Sequence, residues 1–95
     1  MEQKFVRPLF FENRKGQLSI IAEVENIQEA HQQIHKFCQE HNYTNYYTRM
    51  WIESKENAES GTEWRLTFDV GSWSEFFILF FETEEQAREF LDITL

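Results

Sequence analysis

One cysteine, one proline and three glycines occur in these 95 residues, and each scarcity excludes something. A lone Cys38 rules out an internal disulfide and points to a reducing compartment. With so little Pro and Gly and a hydrophobic content of 41%, there is no composition here for a long linker or an extended disordered tract. The longest apolar run, Phe76 to Phe81, is six residues. A helix that spans a bilayer needs about 20, so no membrane segment is expected. The start, MEQKFVRPLF, lacks the stretch of about 7 to 15 apolar residues that a signal peptide requires, which again gives a cytoplasmic expectation.

Positive charge is also scarce. Nine Lys and Arg stand against 17 Asp and Glu, for a net charge of −8. The imbalance is uneven along the chain. In residues 1–15, Lys4, Arg7, Arg14 and Lys15 outnumber Glu2 and Glu12. In residues 75–95, Glu75, Glu82, Glu84, Glu85, Glu89 and Asp92 face only Arg88. Such an end repels phosphate backbones and anionic lipid, so direct nucleic-acid or membrane binding is not expected.

What the sequence has in quantity is aromatic residues, 17% of the chain, in a length suited to one domain with a single two-layer core. KFVRPLFFE (4–12) reads as a strand, with Pro8 suited to an edge or a bulge. NRKG (13–16) reads as a turn in which Gly16 takes positive φ. In QLSIIAEVE the alternation places Leu18, Ile20, Ala22 and Val24 toward a core. Asn26 then caps a helix with Glu29 at its third position, and Ile27, Ala30, Ile34, Phe37, Cys38 and His41 form one helical stripe that Asn42 can end.

A β-branched and aromatic segment, 43–54, predicts a third strand, followed by a polar loop at 55–61. TEWRLTFDV predicts a fourth, with Trp64, Leu66, Phe68 and Val70 inward and Glu63, Arg65, Thr67 and Asp69 outward. EFFILFF shows no alternation, so the fifth strand should be buried on both faces. Thr83 with Gln86 then caps a final helix bearing Ala87, Phe90, Leu91 and Leu95 on its apolar side. The expected fold is α+β: a mainly antiparallel five-stranded sheet in the order β-β-α-β-β-β-α, with two helices on one face. Strand order is left open by this pattern.

Chemistry-bearing constellations are weak. His31, His35, Cys38 and His41 have helical spacing that can hold zinc, but with no paired Cys and no HExxH the expected role is helix surface and core edge, with no metal and no cofactor. Ser72 and Ser74 in GSWSE sit where two strands are joined, whereas a nucleophile elbow joins a strand to a helix. No carboxylate pair is forced into an apolar pocket, so no catalytic residue is assigned and no enzyme is expected.

Two resemblances follow from the residues quoted. The order α-β-β-β-α from Asn26 to Ile93 resembles that of the double-stranded RNA-binding domain. That family meets phosphate with a basic cluster at the start of its last helix, where this chain reads TEEQAR, so RNA binding is not carried over. DVGSWSEFF is similar to a stretch in small uncharacterised proteins of Gram-positive bacteria and their phages, a likeness that implies no activity.

Helices of this length cannot wrap both sides of a sheet, so one face of the fifth strand should need a partner. Tyr47, Trp51, Trp73, Phe76, Ile78 and Phe80 are the candidate interaction surface, and homodimerisation is the expected use of it. The alternative is an acidic surface of Glu82, Glu84, Glu85, Glu89 and Asp92 that imitates nucleic-acid charge toward a basic protein partner.

Overall fold

The computed structural model of the chain describes residues 6–42, 49–57, 61–71 and 75–92. The elements run β1 (Arg7–Glu12), β2 (Leu18–Val24), α1 (Ile27–Glu40), β3 (Arg49–Asn57), β4 (Gly61–Asp69), β5 (Phe76–Phe81) and α2 (Glu84–Asp92). All neighbouring strands are antiparallel, in the order β2-β1-β5-β4-β3. The fold is the α+β arrangement the pattern predicts. What the pattern left open, the strand order, puts the unalternating segment Phe76–Phe81 at the middle of the sheet.

Local chemistry explains the connections. Asn13 Oδ1 accepts from the Lys15 and Gln17 amides, and Gly16 adopts φ 79°, a value that suits a residue without Cβ. Asn26 Oδ1 accepts from the Glu29 amide at 2.9 Å, while Glu29 Oε2 reaches back to the Glu25 amide at 2.7 Å. This is a capping box displaced by one residue. Asn42 leaves α1 with φ 61°. At α2, Thr83 Oγ1 accepts from the Gln86 amide and Gln86 Oε1 accepts from the Glu82 amide.

The helices share one side of the sheet, and the core lies between. Leu9, Val24, Leu66, Phe68, Val70, Phe77, Leu79 and Phe81 from the strands meet Ile27, Ala30, Ile34, Cys38, Ala87 and Phe90 from the helices. Phe77 is fully buried and touches both Phe11 and Phe37 at ring-centroid distances of 5.3 Å.

Several expectations are corrected. β3 and β4 continue to Asn57 and from Gly61, into the segment read as a polar loop. Of the two settings expected for Pro8, an edge or a bulge, the edge is excluded because β1 lies inside the sheet; the register to β2 shifts between Leu9 and Phe10, next to Pro8, and the ladder to β5 covers only Phe10–Glu12. The largest correction concerns β2. Leu9 pairs with Ala22 but Phe10 pairs with Ile20, so Ile21 is one residue too many. Because side chains alternate with period two, the extra residue reverses the faces beyond it. Ile21 packs on the core, whereas Leu18 and Ile20 turn to the opposite side, 45% and 60% exposed. His41, expected in the apolar stripe, is exposed and stacks on Phe37 at 4.0 Å as the C-cap of α1.

Candidate functional site: the open face of the sheet

The side of the sheet away from the helices is assembled from all five strands. Registers align Trp51, Thr67, Ile78, Phe10 and Ile20 in one row across it. On one flank of this row lie Arg49, Asp69, Phe76, Glu12 and Leu18. On the other flank Glu53 pairs with Arg65, and Arg65 with Phe80. Ile78 is 1% exposed yet stands apart from the helix-side core cluster. Its cover comes from this face itself.

The rings around it are linked. Phe10 meets Phe80 edge-on at 5.0 Å, Trp51 meets Phe76 edge-on at 6.3 Å, and the Arg65 guanidinium lies 5.1 Å from the Phe80 ring centre. Phe10, Trp51, Phe76 and Phe80 are each only partly buried. Polar groups surround them in an ordered set. Arg49 pairs with Asp69 at 2.9 Å and Arg65 with Glu63 at 2.8 Å, and Glu53 accepts from Trp51 Nε1 at 2.8 Å and Thr67 Oγ1 at 3.2 Å.

Of the six residues expected to form an interaction surface, the fold brings Trp51, Phe76, Ile78 and Phe80 together; Tyr47 and Trp73 lie outside the described residues. Sequence reasoning missed Ile20 and Leu18 as members of this face, because the alternation of β2 gives no sign of a bulge. Pairing with Ile78 assigns Phe10 to this face.

The remaining candidates lie elsewhere. Glu82, Glu85, Glu89 and Asp92 are exposed on or just before α2, and Glu84 is partly covered by its ion pair with Arg88 at 2.7 Å. His31 stands edge-on to Phe68 at 5.5 Å, and burial holds its imidazole below the ordinary value. Cys38 is buried in the core, where burial and then Glu75 push its thiol up, away from the reactive thiolate. No group of three His, Cys, Asp or Glu among the described residues is placed to hold a metal ion. Ser72 and Ser74 fall outside the described residues. No described helix is long and apolar enough to cross a membrane.

Asp69 is the titratable group most tightly held on the face. The Arg49 hydrogen bond, with help from the Gly71 amide at 2.8 Å, holds its carboxyl below the ordinary carboxylate range, against the opposing effect of burial. A depressed folded-state value means that Asp69 contributes stability above the unfolded value of about 3.9 and loses it as pH falls through the folded one. The urea midpoint of wild type should therefore exceed that of Asp69→Asn most near neutrality, and the gap should close on acidification below about pH 4. A gap independent of pH would show that the charge of Asp69 plays no part.

Compared with known proteins, the chain matches no family model, no curated protein and no solved structure.

Proposed function

We propose that the chain is a small protein-interaction module that self-associates through the open face of its sheet. One observation carries this reading: on the side that carries neither described helix, Trp51, Ile78, Phe10 and Ile20 form a row across the sheet, interrupted at β4 by Thr67, and it ends in an isoleucine 60% exposed. Apolar area left in water forfeits about 25 cal/mol per Å², so the exposed Leu18 and Ile20 beside the partly exposed rings favour burial against another surface.

At tens of micromolar in moderate salt the protein is expected to scatter light at twice its 11.6 kDa mass. A single-chain mass under those conditions would overturn self-association.

A second reading is favoured by the exposed carboxylates of Glu85, Glu89 and Asp92, spaced four and three residues apart and so stacked along one side of α2. In that reading the helix presents nucleic-acid-like charge to a basic protein. Ionic strength separates the two: a contact through the apolar face persists as salt is raised, whereas one through α2 collapses.

A further inference from the structure

We infer that the two copies meet about a two-fold axis that runs across the strands, along the row Trp51, Thr67, Ile78, Phe10 and Ile20. This deepens the reading of the open face as a self-association surface and rests on it. The inference comes from the order of charges in the two flanking rows. Counted inward from β3, one flank reads Arg49, Asp69, Phe76, or cation, anion, aromatic. The other reads Glu53, Arg65, Phe80, or anion, cation, aromatic.

A half-turn about the middle row lays each flank on the opposite flank of the second copy. Arg49 then faces Glu53 of the second copy, Asp69 faces its Arg65, and Phe76 faces its Phe80. Every member of the middle row faces its own equivalent, which is the self-complementarity an isologous interface requires. On β1 and β2 the same operation sets Glu12 against Pro8 and Glu23 against Leu18. Both carboxylates lie toward the rim, and Glu23 is exposed.

The competing half-turn, about an axis along the strands, reverses each row upon itself. Asp69 would then face Glu12 of the second copy, Glu53 would face its Glu23, and Arg49 would face its Leu18. Two like-charge contacts and one cation on an aliphatic side chain oppose that geometry, and like charges across an interface suppress a wrong arrangement more effectively than opposite charges strengthen a right one. The apolar row supplies affinity, and the charged flanks choose the axis. Face-packed sheets keep their strands within about 30° of each other, so the rows stay opposed near the axis.

The test is a charge exchange between copies. Arg49→Glu places two carboxylates at each flank junction of its own homodimer, and Glu53→Arg places two guanidiniums there. Each variant alone is expected to self-associate at least about tenfold more weakly than wild type. An equimolar mixture forms a heterodimer in which both junctions are opposite in sign, and its affinity should return toward the wild-type value. Wild-type dimers combined with no gain on mixing would overturn the axis while leaving the face reading intact. A wild-type monomer would remove both.

Glu53 also holds Trp51 and Thr67, so a second measurement avoids it. Ile20→Cys in a Cys38→Ser background is treated with a bis-maleimide of about 10 Å reach. The proposed axis brings the two copies of residue 20 to about the 10 Å spacing of packed sheets, whereas the competing axis separates them by roughly 20 Å. Efficient covalent dimer formation supports the proposal. Its absence in a sample that sediments as a dimer overturns it.

Discussion

Phe77→Ala is expected to lower the unfolding free energy by about 3–5 kcal/mol, the cost of removing a large buried ring and leaving a void behind it. Phe77 is fully buried on the helix side of the central strand, against Phe11 and Phe37, so neither strand nor helix can close the space without moving the other. Small domains are stable by about 5–15 kcal/mol in all, which places the variant near its unfolding threshold. Denaturant titration at low protein concentration measures this directly. Phe76 is the informative control. It precedes Phe77 on the same strand but points to the open face and is only partly buried. Phe76→Ala should therefore cost well under half as much in the monomer. Equal losses from the two substitutions would mean that the faces of β5 are not distinguished as described.

Ile20→Lys is expected to abolish self-association with little effect on the fold. Ile20 is 60% exposed in the single chain, so it contributes little packing there. In a symmetric pair it enters the interface twice. Losing about 1.5–3 kcal/mol of apolar burial from each copy weakens the dimer by at least about 100-fold. The choice of lysine has a purpose. It moves the net charge of −8 toward zero, so weaker association cannot be attributed to greater mutual repulsion. Light scattering and analytical sedimentation report the change, and a thermal melt at low concentration confirms that the fold survives. A variant that remains dimeric would place the contact somewhere other than the open face.

These two substitutions also show what could be read in advance. Phe77 is legible because EFFILFF has aromatic and aliphatic side chains at both parities, and such a strand has to be covered on two sides. The helix caps at Asn26 and Thr83 are legible because they depend on atoms three residues away. Phe76, Ile78 and Phe80 could be grouped because period-two alternation gives them one parity of the fifth strand, whereas pairing between strands decides that this parity shares a side with Trp51 and turns away from the helices. Ile20 could not. Its orientation depends on whether β1 meets β2 in perfect register, and Ile21 is an extra residue only relative to a partner on another strand.

The sequence by itself determined the α+β class, the order of the elements, the amphipathic sides of both helices and the need to hide the aromatic residues of the fifth strand, because all of these arise from interactions within a few residues along the chain. Tertiary structure alone decided that β5 lies at the centre between β1 and β4, that a bulge turns Leu18 and Ile20 outward, and that cation and anion alternate in opposite order on the two flanks of one face. Those features are set by pairing between segments far apart in sequence, where a shift of one residue exchanges the two sides of a strand and no local pattern registers it.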